Sequence, residues 1–282
     1  MKIGISYDVI RWEEKDLLQA IRRYGSTPVP IYLKDFHLTT EERLEDSPDL
    51  IVQRSVSHKR AQLSTLVFEG MGLSVVNPST TLLLCQNKLH TTIQLSVNKI
   101  STPRTGIAFD ETSALKLASK IGYPVVLKPI EGSWGRMTAK ALDEDTLRSL
   151  LEYQRYTNTY YNNAFYLQEF VKKPDRDIRV FVIGDEAPVG IYRVNERNWR
   201  TNTALGARAE PLKVDEELED LALRVREVVG GHFLGVDIFE DKERGYLVNE
   251  VNAVPEYKNT VRVTGFDVSG KLVSKLTEVI KR

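Results

Sequence analysis

The chain has 282 residues, of which 41% are hydrophobic and 28% are charged, a composition typical of globular proteins and not of disordered or fibrous ones. Lys plus Arg and Asp plus Glu both number 39. Because contacts with the phosphate backbone dominate nucleic-acid affinity, a nucleic-acid binder is expected to have a basic excess, and we therefore expect no nucleic-acid partner. The single cysteine excludes an intrachain disulfide, and no segment has the roughly 18 apolar residues of a membrane span. We therefore predict a cytoplasmic protein with no membrane partner.

The first third of the chain alternates short β-rich runs with segments of helical periodicity. Strands are predicted at residues 2–7, 29–33, 49–53 and 74–77, and helices at 13–24 and 62–71. The charged segment between the second and third strands is compatible with another helix. Because alternating strands and helices form parallel sheets with crossover helices, we predict such a sheet and place the first domain at residues 1–95.

The remaining sequence divides into a central block, residues 96–173, and a C-terminal block, residues 174–282. The central block has a predicted helix at 110–121, strands at 123–129, 138–141 and 165–171, a glycine-containing loop at 131–137 and a helix after Asp143. The C-terminal block has predicted strands at 177–183, 187–194, 234–240 and 246–252, a polar loop at 195–207, and helices at 215–229 and towards the C-terminus. The fold class is therefore α/β.

The last two predicted strands carry oxygen-bearing side chains on one face. With a four-residue turn at 241–244, Asp237 falls opposite Val248 and on the same face as Glu250 and Asn252. These carboxylate and amide oxygens are ligands that Mg²⁺ prefers. A solvated polar face is the alternative, although such a face rarely lacks Lys, Arg and Thr.

Lys128 ends an apolar run and is followed by the loop that contains Gly132 and Gly135. A lysine in a buried strand is costly unless its ammonium group reaches an anion, and a glycine loop offers backbone N–H groups to a phosphate. The alternative is a lysine that extends from the strand end into solvent. The loop and the lysine together favour phosphate binding.

Four arginines flank the first two strands of the C-terminal block: Arg176, Arg179, Arg193 and Arg197. Arginines facing a metal and phosphate site would hold an anionic substrate through paired hydrogen bonds. Taken one at a time, each is also compatible with a surface position.

A series of motifs in this order resembles the ATP-grasp ligases. They are Lys88, VVLKP at 125–129, the loop 131–137, QEFV at 168–171, DIRVFVIG at 177–184, and Asp237 followed by NEVN at 249–252. The resemblance spans the whole chain and implies a three-subdomain ATP-grasp fold with an N-terminal parallel-sheet domain. It also implies an enzyme that uses ATP and Mg²⁺ to join a carboxylate to an amine through an acyl phosphate.

The resemblance implies roles for individual residues. Residues expected to bind ATP are Lys88, Lys128, Glu131, Gly132, Ser133, Trp134, Gly135, Arg136, Met137, Gln168, Glu169, Phe170, Val171, Asp177 and Arg179. Those expected to bind the other substrates are Arg193, Asn202, Thr203, Glu256, Tyr257, Lys258, Asn259 and Thr260. The expected metal ligands are Asp237, Glu250 and Asn252, and Lys128 and Arg193 are the expected catalytic residues.

Within the ATP-grasp ligases, SWGR, RDIRVFVIG, TNTALG and NEVNAVPEYKNTV most resemble the LysX type. LysX-type enzymes attach α-aminoadipate to an acidic carrier protein, LysW, in lysine synthesis, and the related ArgX type attaches glutamate. Asn259-Thr260 follows Lys258 as in the aminoadipate enzymes, where the glutamate enzymes have Gly-Phe. Gly265-Phe266 also occurs, but out of register.

The resemblance leaves other functions open. The chain could be a glutamate–LysW ligase, a dual-specificity enzyme, a ribosomal-protein glutamate ligase or a nucleotide-binding module without catalysis. The complete set of Asp237, Glu250 and Asn252 argues against the last of these. We also expect a homo-oligomer.

Overall fold

Three β-sheets and their covering helices form the computed structural model. It describes residues 1–39, 41–44, 46–132, 135–157, 164–202 and 205–280. Across these ranges, no helix is long and apolar enough to cross a membrane.

The N-terminal sheet is parallel, as the alternation of strands and helices predicts. Its strands are β1 (Lys2–Tyr7), β2 (Thr27–Tyr32), β3 (Leu50–Gln53) and β4 (Val75–Val76), in the order β2-β1-β3-β4. Its helices are α1 (Trp12–Arg23) and α2 (His58–Gly70). The suggested helix between β2 and β3 is wrong. The described part of that segment forms turns, and it packs by placing Phe36 edge-on against Phe68, with ring centroids 5.5 Å apart.

The central sheet is antiparallel and has helices on one face. Its strands are β5 (Thr105–Ala108), β6 (Val125–Lys128), β7 (Ala139–Ala141) and β8 (Phe165–Glu169), in the order β5-β8-β6-β7. Asp110 and Asp143 cap α5 (Glu111–Ile121) and α6 (Glu144–Thr157) by accepting hydrogen bonds from backbone N–H groups three residues later. Leu127, Leu147 and Leu167 belong to the core beneath them.

The C-terminal sheet is antiparallel and is buried on both faces. Its strands are β9 (Arg176–Ile183), β10 (Glu186–Val194), β11 (Arg208–Leu212), β12 (Phe233–Asp241) and β13 (Gly245–Asn252), in the order β11-β10-β9-β12-β13. Its helices are α3 (Ser79–Gln86), α4 (Lys88–Val97), α7 (Glu216–Val229), α8 (Lys258–Thr264) and α9 (Val268–Ile280). Val180 and Val225 share a core with α3 and α4, whereas Phe181 and Phe233 share a core with β1, α1 and α9. The predicted domain limit at residue 95 falls within α4.

The predicted register of the β12–β13 hairpin is wrong. Asp237 lies opposite Glu250 rather than Val248, because Asp241 pairs with Gly245 across a shorter turn and a bulge leaves Asn249 without a cross-strand partner. The predicted shared face holds despite this error, since Glu250 and Asn252 are two residues apart on one strand and Asp237 is directly across from Glu250.

Asn77 joins the segment after the N-terminal sheet to the C-terminal sheet. Its Nδ2 donates to the carbonyls of Phe233 and Ala253, at 2.6 and 2.7 Å. Its Oδ1 accepts from the N–H groups of His232 and Phe233, at 2.7 and 3.1 Å. The side chain is buried, so all four bonds are made away from water.

We expect Asn77→Ala to lower the free energy of unfolding by about 2–4 kcal/mol, because it leaves buried backbone donors and acceptors unpaired. Urea denaturation measures the change. The control is Asn98→Ala, which removes an exposed side chain that donates to Gln94 O at 2.8 Å. Equal losses in the two variants would contradict the assigned role of Asn77.

Candidate active site

A cavity of about 280 Å³ lies between the central and C-terminal sheets; we call it the Lys128 cavity. It is lined by many of the residues predicted to bind ATP: Lys88, Lys128, Gly132, Gly135, Arg136, Gln168, Glu169, Phe170, Val171 and Asp177. Arg193, Asn202, Asp237 and Glu250 also line it. Residues that are distant in sequence therefore meet around one space.

Two lysine ammonium groups face this cavity. Lys128 Nζ donates to Gln168 Oε1 at 2.6 Å and to Asn249 Oδ1 at 2.9 Å, both neutral amide oxygens. Lys88 Nζ donates to Gly132 O at 2.5 Å and lies 3.7 Å from Glu250 Oε1. Burial lowers the pKa of Lys128 to about 8, although the carboxylate of Glu250 partly opposes this effect. A phosphate chain entering the cavity would give Lys128 an anionic partner in place of two neutral amide oxygens, and would give Lys88 a second anion beside Glu250.

The C-terminal sheet carries a buried row of alternating charges. Arg179 on β9 lies opposite Asp237 on β12, and its Nε and Nη2 donate to Oδ1 and Oδ2 at 2.6 and 2.8 Å. Arg193 on β10 lies opposite Asp177 on β9 and donates to it at 2.6 and 2.8 Å. Arg193 Nη2 also lies 3.0 Å from Asp237 Oδ2. Burial alone would raise the pKa of Asp237, but the guanidinium groups of Arg179 and Arg193 lower it below its usual value.

The donor set formed by Asp237, Glu250 and Asn252 fits a hard cation. An ionised carboxylate has about four lone-pair sites, and the two arginines occupy one on Oδ1 and two on Oδ2 of Asp237. One site on Oδ1 is left for a cation. Among the described residues there is no group of three or more His, Cys, Asp or Glu side chains placed to hold a metal, so the set depends on the amide oxygen of Asn252.

Two smaller cavities adjoin this row. One, the Thr260 cavity, measures about 230 Å³ and is lined by Arg11, Trp12, Glu13, Arg179, Ile191, Arg193, Glu256, Lys258, Asn259 and Thr260. The other, the Asn252 cavity, measures about 80 Å³, and its lining includes Arg11, His58, Arg179, Arg193, Asn202, Asp237, Glu250, Asn252 and Glu256. Thr260 is 1% exposed, and its hydroxyl has no hydrogen-bond partner within the described stretches. The Thr260 cavity thus has a buried polar group for a ligand to satisfy.

Other predicted site residues have different surroundings. Tyr257 is buried in the core, donating its hydroxyl hydrogen to Glu13 O at 3.0 Å. Glu131 accepts from Gln86 Nε2 at 3.0 Å, whereas Met137 is exposed. Arg176 pairs with Glu240 and Arg197 is exposed, and neither lines these three cavities. Ser133, Trp134 and Thr203 lie outside the described residues.

The loop after β10 contacts the glycine loop across the Lys128 cavity. Arg200 Nη1 donates to Gly135 O at 3.3 Å, and Trp199 packs edge-on against Phe170, with ring centroids 5.8 Å apart. Gly135 has a φ of 65°, and a Cβ there would lie 2.5 Å from Asn202 Oδ1, so the close approach requires glycine. Trp199 and Arg200 were not predicted as site residues, because no distinctive local pattern marks them in the sequence.

Comparisons with known proteins agree with this architecture. Residues 85–276 match the RimK-like ATP-grasp domain, and residues 3–84 match the LysX preATP-grasp domain. The chain is 58% identical over 286 residues to alpha-aminoadipate--LysW ligase LysX of Sulfurisphaera tokodaii, with 100% of both chains covered. It is 31% identical over 276 residues to glutamate--LysW ligase ArgX of Sulfolobus acidocaldarius, with 97% of each chain covered.

The fold is also that of a solved ATP-grasp ligase. The structure of PsnB complexed with minimal precursor, Mg and ADP has a TM-score of 0.75 to this chain, covering 99% of this chain and 98% of that one. The sequence identity is 19%, so this likeness concerns the fold alone.

We expect ATP binding at a pH above 8 to take up a proton, because the Lys128 ammonium, with a pKa of about 8 in the free protein, is favoured by adjacent phosphates. Affinity should therefore weaken as the pH rises through about 8. Calorimetry in buffers of different ionisation enthalpy measures the uptake. Lys128→Arg is the matched control, since a guanidinium stays charged and should bind without proton uptake. The same uptake in that variant would contradict the assignment to Lys128.

Proposed function

The chain belongs to the LysX type of the RimK-like ATP-grasp family, and we propose that it is an ATP- and Mg²⁺-dependent carboxylate–amine ligase. It joins the α-amine of α-aminoadipate to the side-chain carboxylate of the C-terminal glutamate of the carrier protein LysW, in lysine biosynthesis. The carboxylate attacks the γ-phosphorus of ATP and ADP leaves; the amine then attacks the acyl carbon of the acyl phosphate, phosphate leaves, and the nitrogen loses a proton.

The observation that carries this proposal is the position of Arg193, which lines all three cavities. A ligase of this kind must bring a nucleotide, a carboxylate and an amine to one point. The Lys128 cavity suits the nucleotide, the Asn252 cavity suits the carboxylate end of the carrier, and the Thr260 cavity suits the amino acid. Their shared wall is the place where the three reactants can meet.

We assign nucleotide binding to two lysine side chains and to backbone groups. Lys88 and Lys128 hold the phosphates, the loop 131–137 covers them, and residues 168–171 present backbone groups to the adenine. Asp237, Glu250 and Asn252 are the proposed Mg²⁺ ligands. The ion, when bound, neutralises charge on the transferring phosphoryl group.

Arg193 and Lys128 act where charge develops. The Arg193 guanidinium is fixed by Asp177 and Asp237 and is 3% exposed, so it needs no reorganisation as negative charge appears on the acyl oxygen. Lys128 is held by two neutral amide oxygens, which leaves its positive charge for the phosphoryl group. Asn202, which lines both the Lys128 and Asn252 cavities, is proposed to contact the acyl substrate.

The amino acid would place its distal carboxylate at Asn259 and Thr260. The unpartnered Thr260 hydroxyl gains an acceptor when that carboxylate enters. The 58% identity to a LysX, against 31% to an ArgX, supports aminoadipate over glutamate. Glutamate or dual specificity is the remaining alternative. We also propose a cytoplasmic homo-oligomer.

Incubating the protein with LysW, ATP, Mg²⁺ and equal amounts of aminoadipate and glutamate should raise the mass of LysW by one aminoadipate minus one water. Intact-mass spectrometry measures the product. Glu250→Gln should give no product, because it removes the negative charge of a proposed metal ligand. Glu250 is 22% exposed and lies 3.7 Å from Lys88 Nζ, too far for a hydrogen bond. A glutamate adduct would favour the ArgX reading. ATP binding without any adduct would favour a nucleotide-binding module.

Replacing Asn259-Thr260 by Gly-Phe should lower kcat/KM for aminoadipate relative to glutamate by about tenfold or more, since one methylene is worth about 1–3 kcal/mol. The ring fills the Thr260 cavity and removes the hydroxyl that would pair with the longer substrate. Arg262→Phe, which adds a ring at an exposed position of α8, is the control. An unchanged ratio in the double variant would contradict the assignment of these residues to chain-length selection.

A further inference from the structure

Arg11 and Glu256 form an ion pair where two cavities meet. Both residues line the Thr260 cavity and the Asn252 cavity, together with Arg179 and Arg193. Arg11 Nη1 lies 2.9 Å from Glu256 Oε1. This pair therefore stands in the neck between the proposed amino-acid cavity and the proposed metal ligands.

The neck is where the α-carbon of the amino acid must lie. Of the three cavities, Asn259 and Thr260 line the Thr260 cavity alone, whereas Asp237 and Glu250 line the Asn252 cavity but not the Thr260 cavity. The α-amine has to reach an acyl group held beside Asp237 and Glu250. An amino acid whose distal carboxylate is at Thr260 then places its α-amine and α-carboxylate beside Arg11 and Glu256.

Arg11 is held in place by buried partners. Its Nε and Nη2 donate to the two carboxylate oxygens of Glu14 at 3.1 and 2.8 Å, and the Glu14 side chain is 0% exposed. Glu14 also accepts from Arg54 Nε at 3.2 Å, and Arg54 Nη1 donates to Pro255 O, the residue before Glu256, at 2.9 Å. Glu14 thus fixes the Nε and Nη2 side of the Arg11 guanidinium. Nη1, which contacts Glu256, is left to bind a substrate carboxylate instead.

Glu256 is the more exposed partner of this ion pair. Its side chain is 43% exposed, and its contact with Arg11 is an ion pair at the cavity wall. The Arg11 side chain is 20% exposed, so solvent reaches the pair mainly from the Glu256 side, and a pair open to solvent on one side contributes little by itself. Exchange of its partner therefore costs little.

We propose that Arg11 and Glu256 recognise the two charges of the substrate's α-amino-acid group, which inserts into their ion pair. This inference rests on the proposed function. The Arg11 guanidinium takes the α-carboxylate, and the Glu256 carboxylate takes the α-ammonium. One salt bridge is replaced by two, so no charge is left buried without a partner. The length of the substrate side chain is then selected at Asn259 and Thr260. The α-ammonium and α-carboxylate groups are recognised at the neck, by residues from opposite ends of the sequence.

Two analogues separate these contacts. δ-Aminovalerate is aminoadipate without its α-carboxylate, and adipate is aminoadipate without its α-amine. Ligation of δ-aminovalerate to LysW reports on Arg11, and competitive inhibition by adipate reports on Glu256. Calorimetry with the ADP-loaded protein measures the binding of aminoadipate, δ-aminovalerate and adipate in the absence of LysW.

In the wild type, kcat/KM for δ-aminovalerate should be lower than for aminoadipate by about tenfold or more, the effect of one lost charge-assisted contact. Arg11→Met should bring aminoadipate down to the δ-aminovalerate level, leave δ-aminovalerate nearly unchanged, and leave the aminoadipate-to-glutamate ratio unchanged. Glu256→Gln, which keeps the Arg11–Glu14 contacts, should weaken aminoadipate about tenfold without weakening adipate.

Arg23→Met is the matched control, because it breaks an exposed ion pair with Asp267 at the other end of α1. It should change none of these ratios. An equal loss for aminoadipate and δ-aminovalerate in Arg11→Met, or equal losses for aminoadipate and adipate in Glu256→Gln, would overturn the inference. A wild type that ligates no amino acid to LysW, yet binds aminoadipate with these same variant effects in calorimetry, would overturn the proposed function and leave this inference supported.

Discussion

The buried carboxylate of Asp237, held between two guanidinium groups, is the interaction on which the site depends. A charge at 2% exposure is tolerated only with partners. Arg179 supplies one from the adjacent strand β9, and Arg193 supplies the other from β10, one strand further away. Arg179 lies directly across from Asp237, and Arg193 lies directly across from Asp177, so strand register and charge pairing fix each other. Because Arg193 borders all three cavities described above, the pairing that stabilises the sheet also positions the residues around the ligand spaces.

Much of the fold could be predicted from the sequence because its elements have clear periodicity and capping residues. Asp110, Asp143 and Asp215 each precede a helix that the structure contains. The missed elements include β5 and β11, which have four and five residues, and α3 and α4, which follow each other with only Asn87 between them. Asn87 caps α4 by accepting from the His90 N–H, but this cap was not recognised because it lies between two short helices. Their stability comes from packing on the C-terminal sheet through Leu82 and Leu95, which local sequence does not reveal.

Some residues of the candidate site could likewise be predicted from the sequence, and others could not. Lys128, Asp237 and Glu250 stood out because polar residues at the ends of apolar strands break a visible pattern. Arg11 did not, since its significance lies in a contact with Glu256, 245 residues away. Tyr257 was assigned to substrate because it neighbours true cavity residues, yet the turn before α8 directs it into the core. A motif gives the residues at a site, and the backbone decides which of them face the ligand.

The bulge in β13 has a consequence for how much chemistry one strand can carry. A regular strand shows every second side chain to a given face, but at the bulge two consecutive residues, Asn249 and Glu250, both border the Lys128 cavity. The amide contacts the Lys128 ammonium, and the carboxylate stays beside Lys88. The bulge thus lets a neutral amide and a carboxylate that are adjacent in the chain contact two different lysines. In a regular strand, two side chains on the same face would be at least two positions apart.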